Sequence, residues 1–213
     1  MENFLDIWHI PFKDLHVETS TLHVDEIQRA NSFVKASDRD NYILSHTYLR
    51  KVLSSYYLHV EAKELLFEFN KYTKPRLNKK YKLHFNLSHS KTCAYIICSD
   101  EECGIDIEEK TDLELTDTLA KLVFCEEEFI EYKISENKED YFYKIWTLKE
   151  AYLKALGIGI ALKPMNELNI KEKRKTTLLK NKLLENDKYL AYCLLDSPLH
   201  VEPIYKSLKD IKY

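Results

Sequence analysis

The chain has 213 residues, 45% hydrophobic, 12% aromatic and 31% charged, with a formal net charge of −3. That much apolar side chain supports a packed core in one large domain or two small ones, and the slightly negative balance excludes a global basic field for nucleic acid or an anionic membrane. The opening MENFLDIWHIPF lacks the basic and long apolar regions of a leader, no apolar run approaches the roughly 18 residues of a membrane span, and the five cysteines contain no CxxC pair; a cytoplasmic protein with buried free thiols is expected.

In chain order, Leu5–Ile10 reads as a short strand. Ser37 is the expected N-cap of a long helix in which Ile43, Leu44, Leu49, Val52, Leu53 and Tyr56 recur at helical spacing. Leu65–Phe69 is expected to be extended, then a basic loop KYTKPRLNKKYK leads to strands Leu83–Leu87 and Thr92–Ser99, separated by SHSK. The run Asp100-Glu101-Glu102 ends this first half. Cys103–Ile107 opens the second as an apolar strand, with helices expected at Leu113–Phe124, Glu126–Ile134 and Glu139–Leu156, the last stopped by Gly157. Strands are expected at Glu167–Ile170, Thr176–Leu179, Tyr189–Leu195 and His200–Ile204. The pattern is α+β, in halves 1–102 and 103–213 with no linker between them.

All three glycines fall in two stretches, GIDIEE at 104–109 and WTLKEAYLKALGIG at 146–159. Glycine weakens a strand or helix interior, so it is kept where backbone bends or is closely approached. In a strand, Asp106 and Glu108 share one face while Ile105 and Ile107 point to the core. Two adjacent carboxylates repel unless a cation or donor lies between them, and hard divalent ions prefer such ligands. On a helix, Trp146, Glu150, Leu153, Lys154 and Gly157 fall on one side. Glu150 supplies a third carboxylate and Lys154 a cation suited to phosphate. The stretch FNLSHS, Phe85–Ser90, ends a strand in hydroxyl and imidazole donors that suit an anion. A hydrolase reading of Ser88-His89 lacks the G-x-S-x-G elbow.

Taken together, KP-x-L at Lys74–Leu77, FNLSHS at 85–90, GIDIE at 104–108 and W-x-x-KEA-x-x-K at 146–154 resemble the 4′-phosphopantetheinyl transferases of the surfactin-synthetase-activating type. The resemblance implies a pseudo-twofold pair of similar α+β halves with coenzyme A in the cleft between them. It implies transfer of the phosphopantetheine arm of coenzyme A to a serine of an acyl- or peptidyl-carrier protein, releasing adenosine 3′,5′-bisphosphate. On the matching positions it implies Asp106, Glu108 and Glu150 as Mg²⁺ ligands, Glu150 also as base, and Lys154 on a phosphate oxygen. Lys74, Ser88 and His89 would contact the nucleotide and its phosphates, with Arg29, Lys35 and Arg39 placed toward the 3′-phosphate. Two departures stand out: Asn41 where some relatives are basic, and Thr73 where a glycine usually precedes Lys-Pro. The expected partners are coenzyme A and a carrier protein, with no nucleic acid or membrane, and the expected state is monomeric. The amphipathic segment Lys110–Phe124 is the expected carrier surface. Two other readings are a Mg²⁺-dependent nucleotide pyrophosphate hydrolase and a non-catalytic module that binds coenzyme A or a carrier.

Overall fold

The computed structural model describes residues 4–111, 115–158, 163–196 and 201–211. In the first half, strand β1 (Leu5–Pro11) is followed by helix α1 (Val24–Asn31) and helix α2 (Ala36–Lys51). A π-helical turn, Val52–Leu58, prolongs α2 and ends at His59 in the left-handed region. The short strands β2 (Glu68–Phe69) and β3 (Pro75–Arg76) pair with each other, and β4 (His84–His89) and β5 (Cys93–Ser99) form a hairpin. The second half contains β6 (Cys103–Glu109), α3 (Asp117–Val123), α4 (Glu126–Ile134), α5 (Lys138–Leu156), α6 (Ile170–Lys173), β7 (Leu178–Leu184), β8 (Lys188–Leu194) and β9 (Ile204–Ser207).

Two sheets carry the fold, one ordered β4-β5-β1-β9 and the other β6-β8-β7. The side chains of β1 and β5 alternate between two cores. Trp8, Ile10, Ala94, Ile96 and Cys98 pack with Leu44, Leu49, Val52 and Leu53 of the α2 region. Leu5, Ile7, Tyr95 and Ile97 pack against Ile105, Ile107, Leu190 and Leu194 of the second sheet. The opposite face of that sheet, with Ala191 and Cys193, receives Leu148, Ala151 and Ala155 of α5. Each half therefore lays one long helix on the outer face of one sheet, and the sheets share the core between them. This is the expected α+β architecture.

Several expectations change in detail. Helix α1, capped by His23 and Glu26, was not expected, because its short apolar stripe buries only Ala30. Helix α2 starts at Ala36 with Lys35 as an N-cap that makes no side-chain hydrogen bond, so Ser37 lies inside the first turn. Residues 65–69 yield only the two-residue β2. Glu167–Ile170 is not a strand: a 3₁₀ turn, Met165–Glu167, leads to α6, whose Asn169 caps Lys171 and Glu172. Leu113 and His200 lie outside the described residues; α3 begins at Asp117 under a Thr116 cap, and the last strand is Ile204–Ser207. That strand pairs in parallel with β1 and thus joins the first half's sheet. The five cysteines are unpaired thiols, as expected.

Candidate active site

β4 and β6 are edge strands of different sheets, and the site forms where they meet. On β6, Gly104, Asp106 and Glu108 alternate onto the face covered by α5. Gly104 carries no side chain because the helix backbone occupies the space: an added Cβ would lie 2.1 Å from the Ala151 carbonyl oxygen and 2.3 Å from the Ala155 nitrogen. Helix α5 begins under an Asn137 cap and ends at Gly157, whose φ of 69° forms the expected left-handed cap. The close packing at Gly104 brings Glu150 and Lys154, on the same helix, over Asp106.

A cavity of about 480 Å³ is lined by Ser88, His89, Asp106, Glu108, Trp146, Glu150 and Lys154 among others. Lys154 Nζ donates to Asp106 Oδ1 at 2.6 Å and to Ser88 Oγ at 3.0 Å, and Ser88 Oγ donates to the same Asp106 oxygen at 3.1 Å. Trp146 Nε1 donates to Glu108 Oε1 at 3.0 Å. Asp106 Oδ2 and Glu150 Oε1 are buried without a hydrogen-bond partner. One ammonium thus faces three carboxylates. Burial, the Asp106 charge and, more weakly, Glu108 push the Glu150 carboxyl up to about 7 against the pull of Lys154. Burial and Asp106 likewise raise Glu108, opposed by the Trp146 indole and Lys154. Such a cluster lacks positive charge, and unpartnered carboxylate oxygens suit a hard divalent cation. Among the described residues no three acidic, histidine or cysteine side chains already converge as a metal cage. The unpartnered oxygens of Asp106 and Glu150 suit an ion such as Mg²⁺ that takes few protein ligands and keeps several water or phosphate ligands.

His89 is on the opposite face of β4 from Ser88. It lies between this cavity and a smaller one of about 320 Å³, walled also by Phe33, Asp38, Asn41, Ser90 and Lys91. Desolvation lowers its imidazole pKa, and His46 and Lys154 lower it further. The remaining expected residues are not brought here. Lys74 is buried elsewhere, its ammonium donating to Glu102 Oε2 and to the carbonyls of Cys103 and Ala155 at 3.0–3.1 Å. With three acceptors engaged, it joins the first half to β6 and to the end of α5. Arg39 turns to Asp40 at 3.1 Å, and the Arg29 guanidinium lies over the Phe33 ring. Thr73, where a glycine was expected, has φ of 68°, a conformation that a β-branched residue adopts only under strain.

Sequence reasoning assigned nothing to Lys149 or Asn86. Lys149, fully buried, pairs with Glu128 at 2.5 Å and donates to the carbonyls of Val123 and Met165, locking α5 to the layer of α3 and α4. A lysine between an apolar helix face and Glu150 reads from sequence as one more surface charge; only its acceptors reveal the role. Asn86 Oδ1 accepts from the Ile105 N–H at 2.9 Å.

Comparison with known proteins supports the same reading. A family model described as the 4′-phosphopantetheinyl transferase superfamily matches residues 102–201, and one described as 4′-phosphopantetheinyl transferase, N-terminal, matches residues 6–101. The chain is 35% identical over 165 residues to the 4′-phosphopantetheinyl transferase HetI of Nostoc sp. PCC 7120, covering 73% of this chain and 69% of that protein. It is 29% identical to the 4′-phosphopantetheinyl transferase gsp of Aneurinibacillus migulanus, covering 76% of this chain and 66% of that one. With the 4′-phosphopantetheinyl transferase Sfp of Bacillus subtilis the identity is 28%, covering 71% and 67%. No helix among the described residues is long and apolar enough to cross a membrane.

Proposed function

The chain belongs to the 4′-phosphopantetheinyl transferase superfamily and is a transferase of the phosphopantetheine group, and from that membership we propose that the carboxylate cluster between β6 and α5 performs the transfer. The donor is coenzyme A and the acceptor the serine hydroxyl of an acyl- or peptidyl-carrier protein. The serine oxygen forms a bond to the phosphorus that bears the pantetheine arm, the pyrophosphate P–O bond breaks, and adenosine 3′,5′-bisphosphate leaves. Residues 1–102 and 103–213 form the two halves in this reading, and the protein works as a cytoplasmic monomer.

The observation that carries the assignment is a pair of buried, unpartnered oxygens, Asp106 Oδ2 from the strand and Glu150 Oε1 from the helix, on residues that line one cavity. Asp106, Glu108 and Glu150 would hold Mg²⁺. When bound, that ion would neutralise the charge that develops on the pyrophosphate as the bond breaks. Lys154, which bridges Ser88 and Asp106 in the ligand-free protein, exchanges Asp106 for a phosphate oxygen. The Trp146 indole holds Glu108 by one oxygen and leaves the other for the ion. Glu150 would take the serine proton as well as help to hold the ion, and its force as a base would come from its position beside the hydroxyl. His89, on the wall shared with the smaller cavity, faces the nucleotide end of the donor.

The test pairs two isosteric variants. Glu150→Gln keeps a ligating oxygen but cannot accept a proton, so Mg²⁺-dependent coenzyme A binding should survive within a few-fold while turnover falls by roughly 10²–10⁴. Asp106→Asn should weaken binding and turnover together. Turnover is read as a mass gain of about 340 Da on an apo-carrier, one phosphopantetheine group. Loss of binding in Glu150→Gln with a normal rate at saturating Mg²⁺ would make Glu150 a ligand only, and product formed without any carrier would favour the hydrolase reading.

A further inference from the structure

Two edge strands meet at the active site without a backbone ladder between them. β6 spends one edge on β8, and the N–H groups of its other edge face β4. Buried N–H groups need acceptors, and here side chains of β4 provide them. Asn86 Oδ1 accepts from Ile105 N at 2.9 Å, and two residues on, Ser88 Oγ accepts from Ile107 N at 3.3 Å. The spacing is that of a strand edge, with Asn86 and Ser88 standing where carbonyls of a neighbouring strand would otherwise be. Both side chains are buried.

We propose that Asn86 is a positioning residue: with Ser88 it splices the first sheet onto the second, and so fixes how far the β4 groups stand from the carboxylates on β6. The two N–H groups it and Ser88 satisfy flank Asp106 on either side in the chain. Ser88 alone is a poor anchor, because its hydroxyl is also engaged with Asp106 and Lys154. Asn86 lies one pleat further from the cavity, outside its lining, and makes the shorter of the two splices. Without it, Ile105 N–H is left buried and unpaired, and the edges part until water reaches it. The parting then moves Ser88 relative to Asp106. The inference rests on the proposed role of Asp106, so its first readout needs no activity.

Asn86→Leu preserves size and removes the acceptor; Asn86→Asp keeps an oxygen at the same reach. In the ligand-free protein, amide hydrogen exchange should speed up in Asn86→Leu at Ile105 and also at Ile107, whose own acceptor is intact, and Asn86→Asp should restore most of the protection. In the transfer assay, well below the melting temperature, Asn86→Leu should raise the KM for coenzyme A and the Mg²⁺ needed for half-maximal rate about tenfold, the size of one lost buried acceptor. Its kcat at saturation should stay within a few-fold. Faster exchange at Ile105 alone, with Ile107 unchanged, would overturn the proposal, as would a lower melting temperature with unaltered KM and Mg²⁺ requirement. A wild-type protein inactive on every carrier would sink the functional reading and leave the exchange result to decide the splice by itself.

Discussion

Substituting Gly104 by alanine tests the packing that assembles the site. The added Cβ would sit 2.1 Å from Ala151 O, 2.3 Å from Ala155 N and 2.9 Å from Ala155 Cα, all backbone atoms of α5. Ordinary contact is about 3.5 Å, so strand and helix must separate by roughly 1.4 Å. No rotamer change relieves a backbone clash. A gap of that size forfeits much of the dispersion contact of Leu148, Ala151 and Ala155 against β6 and β8. Overpacking typically costs about 1–3 kcal/mol, and this position belongs at or above the upper end, offset by about 0.5–1 kcal/mol from removing a strand glycine. The expected net loss is about 2–3 kcal/mol, or roughly 4–12 °C in Tm for a chain of this size. Glu150 and Lys154 neighbour Ala151 and Ala155, so the 2.6 Å contact of Lys154 with Asp106 opens as well. Turnover of the folded variant should fall by about 10²-fold, the cost of a 1 Å misplacement. Urea unfolding and single-turnover transfer at low temperature measure the two effects. A variant within 0.5 kcal/mol of wild type and fully active would refute the account of why this residue is glycine.

Thr73→Gly should stabilise the protein by about 0.5–1 kcal/mol, because relief of left-handed strain exceeds the added chain entropy; an unchanged urea midpoint would mean that the turn around Asn70 already absorbs the strain. Glu102 joins Lys74, Arg76 and His84, and although burial opposes it, the His84 and Lys74 contacts hold its carboxyl at about 2, well below the ordinary glutamate value of 4.5. A depressed carboxyl stabilises fully above the unfolded pKa, and that stability is lost as pH falls from 4.5 toward about 2; the span corresponds to at most about 3 kcal/mol. Glu102→Gln should therefore cost stability at pH 7 and little at pH 2.5, and a pH-independent difference in the melts would count against the ionic account. Lys149→Met leaves Glu128 buried at 1% exposure with its charge uncompensated, and should cost about 3–5 kcal/mol, whereas the double change with Glu128→Gln, which removes the charge and keeps an acceptor for Ile170 N, should recover part of it. Lys121 and Leu122 lie on the outer side of α3, Leu122 being 64% exposed; Lys121→Glu should raise the KM for carrier and leave that for coenzyme A unchanged, and an unaltered carrier KM would move the docking surface elsewhere.

The sequence by itself determined the elements with strong local signals. Period-two alternation in GIDIEE placed Asp106 and Glu108 on one face, helical spacing placed Glu150 and Lys154 together, and Gly157 marked the end of α5, because these properties depend only on strand and helix geometry. The short elements were not legible: Glu167–Ile170 is apolar enough for a strand, but the Asn169 cap and Glu128, which accepts from Ile170 N at 2.9 Å, turn it into a helix start. Tertiary structure alone decided what each charged or polar side chain does. Lys74, Lys149 and Lys154 are the same residue type in three motif positions, yet the first pins the halves, the second is locked to Glu128, and only the third faces the cavity. An ammonium's role is set by the acceptors that surround it, and those come from residues 28, 26 and 48 positions away in the chain, respectively. The same holds for Gly104 and Asn86, whose reasons are a helix backbone and an orphaned strand edge that no local pattern reveals.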